Sequence, residues 1–192
     1  MEVLQVISSR AHVRLALAGL AFAQVVTLCA CDLDPKKVPP KFRLEGSLGQ
    51  VMDTGYDEAR VGVAPTDISI TFVRVHPLGG DTDPDAGEMQ MVGTTEDYPL
   101  KVAYRLLGDP IGGRYDLAAL DMNGAQRGVA SRQVRNDPRN VLPIILRGTM
   151  FFDRPLDPGV TVNGDFHITF ENGIEAASGR TVFMTTFQAK VQ

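Results

Sequence analysis

Residues 81–88 read Asp-Thr-Asp-Pro-Asp-Ala-Gly-Glu, and the carboxylates of Asp81, Asp83, Asp85 and Glu88 form the chain's densest set of potential ligands. Alternating carboxylates offer the hard oxygen donors that Ca²⁺ takes. The spacing departs from the twelve-residue calcium loop, because Gly87 falls one place late and the twelfth position holds Val92, not Glu. The same charges on a solvated hairpin tip would discourage edge-to-edge association. Other chemistry is thinly provided. The histidines are His12, His76 and His167, and both cysteines, Cys29 and Cys31, lie near the N-terminus. A zinc site needs three or four converging ligands, and two separated histidines beyond residue 31 do not make one. Gly46-Ser47-Leu48-Gly49 lacks the Gly-x-Ser-x-Gly spacing of a nucleophile elbow and sits in a strand-like pattern. Gly79-Gly80 and Gly112-Gly113 have no phosphate-loop context. No cofactor is expected.

The locally basic stretch runs from Arg127 to Arg147, and Arg132, Arg135 and Arg139 are its candidate partner-binding residues. It could serve a protein partner or face anionic head groups; a solvated strand and loop would read the same way. The whole chain carries −4 with a pI near 5.3. That balance provides no electrostatic footprint for nucleic acid.

These residues are positioned by an N-terminal segment and one folded body. Arg10 and Arg14 precede or flank an uncharged run from Leu15 to Leu28, which ends in Leu28-Cys29-Ala30-Cys31. A basic lead, an apolar stretch and small residues after it are the parts of a secretory signal. At 14 residues, the run falls short of the ~20 that a spanning helix needs. Its last four residues resemble the bacterial lipobox. That resemblance implies cleavage after Ala30, diacylglycerol on the Cys31 sulfur and acylation of the new amine. Cys29 stands where a small residue is usual. Each buried methylene contributes ~0.8 kcal/mol, one chain binds reversibly and two hold stably, so a diacylglyceryl cysteine is a durable anchor. The resemblance places the protein in the bacterial cell envelope, at the periplasmic face of the outer membrane. Asp32 is the residue that in enteric bacteria would hold it at the inner membrane instead.

Removing residues 1–30 of 192 leaves 162, enough for one domain with an ordinary core. With both cysteines in the anchor, that domain has no disulfide or catalytic thiol. Residues 31–41, the lipidated Cys and a Pro- and Lys-containing stretch, read as a short extended tether. From Phe42 to Gln192 the period is two. Ile68, Ile70 and Phe72 alternate with Ser69 and Thr71, Leu100, Val102, Tyr104 and Leu106 with Lys101, Ala103 and Arg105, and Phe166, Ile168 and Phe170 with His167 and Thr169. Phe183, Thr185, Phe187, Ala189 and Val191 repeat the pattern near the end. Asn123-Gly124 suits a type I′ hairpin, and Asn172-Gly173, Asn136-Asp137-Pro138 and Asp157-Pro158-Gly159 read as turns. Pro143 marks an edge or a bulge within Val141–Leu146. The expected fold is all-β, an antiparallel β-sandwich of immunoglobulin or transthyretin-like type.

In anchor, size and strand content the chain is similar to small lipoproteins of envelope machines, such as the transthyretin-like lipoprotein of type VI secretion and the secretin pilotins. That likeness implies a non-catalytic, membrane-anchored adaptor or structural subunit whose partner is an envelope protein. Two alternatives compete. A ligand-binding sandwich would use the Asp81–Glu88 carboxylates for calcium or an aromatic groove for carbohydrate, although the chain has no Trp. A hydrolase would need His76 or His167 beside a carboxylate and a serine.

Overall fold

The chain is described by a computed structural model over residues 39–77 and 94–192. The alternating stretches Ile68–Phe72, Leu100–Tyr104, Phe166–Phe170 and Phe183–Val191 all lie in strands. β1 (Phe42–Arg43) is followed by a 3₁₀ turn at Ser47–Gln50, then β2 (Gly55–Tyr56), β3 (Glu58–Val63), β4 (Asp67–Pro77) and β5 (Thr94–Arg105). β6 (Gly113–Asp116), β7 (Gly128–Gln133), β8 (Ile145–Phe152), β9 (Thr161–Phe170) and β10 (Thr181–Val191) complete the set. The described residues include no α-helix. The protein is all-β, as its periodicity requires.

β1 and β2 form a small ribbon, and the other strands form one sheet in the order β6-β8-β9-β10-β3-β4-β5-β7. Adjacent strands run antiparallel except β10 and β3, which run parallel with Val191 opposite Val61. The sheet is therefore mixed, where a wholly antiparallel arrangement was expected. It is also a single sheet that nearly closes on itself. Chain just beyond β6 meets chain just before β7: the Arg127 amide donates to the Ala119 carbonyl at 2.8 Å and the Gly128 amide to Leu117 at 3.1 Å. The Gln126 side chain spans to β8, donating to the Ile145 carbonyl at 2.6 Å and accepting from its amide at 3.3 Å.

The core lies inside this curl. One row across the sheet runs Val191, Val61, Ile70, Val102 and Ala130, and all but the half-buried Ala130 are buried. Four rings fill the centre. Phe72 packs on Phe166 at 5.3 Å and on Phe187 at 6.2 Å, and Phe187 meets Phe152 at 5.9 Å, within the range of favourable edge and tilted aromatic pairs. Gly164 makes this possible, because a Cβ there would stand 2.2 Å from the Phe151 carbonyl and 2.5 Å from the Phe187 ring.

Two local expectations change. Ser47–Gln50 is a 3₁₀ turn that buries Leu48, not a strand. Asn123 does not take positive φ, so the hairpin is not type I′; Gly124 alone does, at 77°. The Asp121 carboxylate accepts the Asn123 and Ala125 amides and sets the loop, an Asx-type turn replacing the two-residue one. Pro143, expected at an edge or a bulge, lies in irregular chain ahead of β8, and the β8–β9 register shifts between Ile145 and Arg147.

Candidate functional site

Ala30, Cys31 and Asp32 lie outside the described residues, as do Asp81, Asp83, Asp85 and Glu88. Among the described residues no group of three or more His, Cys, Asp and Glu could hold a metal ion, and no helix is long and apolar enough to cross a membrane.

The three candidate arginines form a latch at one end of the sheet. Arg132 points inward from β7 with its side chain fully buried. Its guanidinium donates to Asp137 Oδ2 at 2.9 Å, to the Asp53 carbonyl at 2.7 Å and to the Pro99 carbonyl at 3.2 Å, leaving Nε without a partner. Buried charge demands such pairing, and Arg132 has no free face for a partner. Arg139 is exposed, yet its Nε donates to Asp137 Oδ1 at 2.8 Å and its Nη1 to the Val51 carbonyl. The Arg139 side chain and amide, with Arg132 behind them, outweigh desolvation and hold the Asp137 carboxyl far below the usual range. Arg135 is bound by its amide to Asp97 Oδ1 at 3.1 Å and by its side chain to Thr95. Nearby, Arg74 meets Asp53 at 2.5 Å. Burial opposes ionisation of Asp53, but the Gly55 amide and Arg74 prevail and lower its pKa. The basic stretch thus ties its own loop to the fold.

His76 Nε2 lies 2.8 Å from Asp97 Oδ2, with the imidazole half-buried and the carboxylate buried. Asp97 thus occupies Nε2, the nitrogen that a Ser-His-Asp triad turns to its nucleophile, and among the described residues no serine hydrogen-bonds to His76. His167 is exposed on β9 and lies beside Phe183, with ring centroids 6.1 Å apart.

The outer face of β3, β4, β5 and β7 holds a polar groove of about 460 Å³. Its centre is a cross-strand row, Arg60–Thr71–Lys101–Ser131. Gly62 and Ser69 form the next row. Small residues make the floor, and Arg60, Tyr98 and Gln192 rise around it. The floor is deep for an outer face: Ser69 is 7% exposed and Val73 0%. The wall is braced. Arg60 donates to Glu96 at 2.7 and 3.0 Å and through Nε to Glu58 at 2.7 Å, while the Tyr98 hydroxyl donates to Glu96 at 3.2 Å. The hydrogen bond from Arg60 lowers the Glu96 pKa against the opposing effect of desolvation. Lys101 lies in the groove with no carboxylate within 4.0 Å among the described residues.

A second surface is apolar. Leu120, Met122, Val129, Val141, Ile144 and Leu146 are 54–99% exposed. Of these, Leu120, Ile144 and Leu146 lie at the near-closure of the sheet: Leu120 bridges Gln126, whose side chain holds Ile145 between Ile144 and Leu146. Scattered exposed apolar side chains are ordinary, but a gathering of them marks interaction surface. Sequence reading singled out this stretch for its arginines and passed over its aliphatics, since which strand flanks Gln126 is a long-range fact. The groove was missed likewise. Lys101 is recognisable as a wet-face residue of its strand, whereas its row-mates come from three other strands.

Compared with known proteins, the chain matches no family model, no curated protein and no solved structure.

Proposed function

We propose that the chain is a bacterial envelope lipoprotein, anchored by lipid on Cys31 after cleavage behind Ala30, and that its folded body is a non-catalytic adaptor or structural subunit. The curled sheet is read as a relative of the immunoglobulin or transthyretin-like sandwich, with two halves facing each other across one core. The observation carrying the adaptor reading is the set of aliphatic side chains exposed along the sheet's near-closure, with Ile144 and Leu146 at its centre. Exposed apolar groups lose unfavourable hydration when a partner covers them, and a lipid anchor confines that partner to the envelope. The outer membrane's periplasmic face is the assigned location, with Asp32 the feature that would favour the inner membrane.

A photo-crosslinking residue at position 146 in living cells tests this. The expected result is a discrete adduct with one envelope protein, lost on Ile144→Asp, while thermal stability changes little because the site is on the surface. Absence of any adduct from membrane-bound, folded protein would overturn the adaptor reading. The alternative of a hydrolase draws its support from the His76–Asp97 pair alone, and an adaptor needs no such activity.

A further inference from the structure

We propose that the outer-face groove of β3, β4, β5 and β7 is a binding site for an acidic carbohydrate, a sugar unit carrying a carboxylate. This goes beyond the adaptor reading and stands independently of lipidation. The volume, about 460 Å³, lies within the range of small-molecule sites and can hold one or two sugar rings.

The place for an anion is Lys101, not the wall. Arg60 is held by two carboxylates, Glu58 and Glu96, which together outweigh its charge by one, so its role is to hold the wall in place. Among the described residues Lys101 has no carboxylate partner, and it lies between two hydroxyls, Thr71 on one neighbouring strand and Ser131 on the other. An ammonium flanked by hydroxyl donors suits a carboxylate, which accepts several hydrogen bonds at once.

The rest of the lining selects a polyol. Ser69 lies on the floor, and Gln133 and Gln192 line the groove as well. Hydroxyl and primary amide groups both donate and accept, which is what vicinal sugar hydroxyls require. Tyr98 adds an aromatic wall, and its hydroxyl is already committed to Glu96. The ring is therefore fixed before ligand arrives, and preorganisation of this kind lowers the cost of binding.

The test uses the full chain in detergent and a matched pair of probes: the disaccharide of glucuronic acid and N-acetylglucosamine, and the same disaccharide with its carboxyl reduced to an alcohol. Binding is followed by calorimetry and by amide chemical shifts. The expected result is that the acidic probe binds at least tenfold tighter than the reduced one, with shifts at Thr71, Lys101 and Ser131. Lys101→Gln should erase the difference between the two probes. Thr71→Val should weaken both. Each substitution is on the outer face, and an unchanged melting temperature verifies the fold. Equal binding of the two probes, equal binding of acetate and the acidic probe, or indifference to Lys101→Gln would each overturn the proposal. None of these outcomes bears on whether a protein partner covers Ile144 and Leu146.

Discussion

Asp137 carries more of the fold than its place in a surface turn suggests. It accepts from Arg139 and from the fully buried guanidinium of Arg132, so one carboxylate neutralises a charge that has no access to water. Removing one partner of a buried pair strands the other, which costs far more than the pair itself contributes. Asp137→Asn should lower stability by roughly 3 kcal/mol in denaturant unfolding, whereas Arg139→Gln, at an exposed position, should cost much less. The same carboxylate sets an acid limit. Its folded pKa lies below the value of about 3.9 for an unfolded Asp, so in acid the unfolded chain binds more protons than the folded one. The stabilisation is therefore present in full above about pH 4 and is lost as pH falls through that value toward the folded pKa. Melting temperatures measured from pH 6 down to pH 3 should fall, and fall less steeply in Asp137→Asn. A parallel fall in both proteins would assign acid sensitivity elsewhere.

At the scale of elements, strand identity and core face were legible in β4, β5 and β9, and strand neighbours were not. In β10 a register shift between Met184 and Phe187 breaks the alternation, so Val182 is buried and Phe183 lies beside the exposed His167. Ile68, Ile70 and Phe72, and Leu100, Val102 and Tyr104, are buried in the structure with the parity their alternation demands. Parity fixes which face is dry but not which strand lies alongside. The parallel contact of β10 with β3 joins the last strand to one of the first, and no local signal encodes it. The same holds for the sites. Arg132 shares the inward parity of Gly128 and Ala130, so its burial follows from the pattern once β7 is assigned, but the carboxylate and carbonyls that satisfy it come from other segments. The groove row needs four strands in register. Gly164 shows how one strand accommodates another: β9 lacks a side chain where the Phe187 ring of β10 lies against it. Gly164→Ala would push a Cβ into the Phe151 carbonyl and that ring. Overpacking of this kind costs typically 1–3 kcal/mol, and the sheet between β8 and β10 should open first. Amide hydrogen exchange in β9 should quicken more than in β4, and uniform acceleration would contradict this local account.

On the scale of the whole molecule, a body with a filled interior is proposed to work where a lipid on Cys31 would hold it. The curled sheet buries its aromatic core and offers its outside for contacts, apolar at the near-closure and polar in the groove. An unanchored body with those surfaces would be diluted through its compartment, whereas two or more acyl chains hold it at one membrane. The adaptor reading, unlike the groove proposal, depends on that confinement. The most direct measurement is intact mass spectrometry of the protein extracted from its native membrane, with fragmentation of the N-terminal peptide. The account predicts a mature chain beginning at Cys31 and carrying a diacylglyceryl group on sulfur. A chain that still includes residues 1–30, or one that begins at Cys31 with a free thiol, would contradict it.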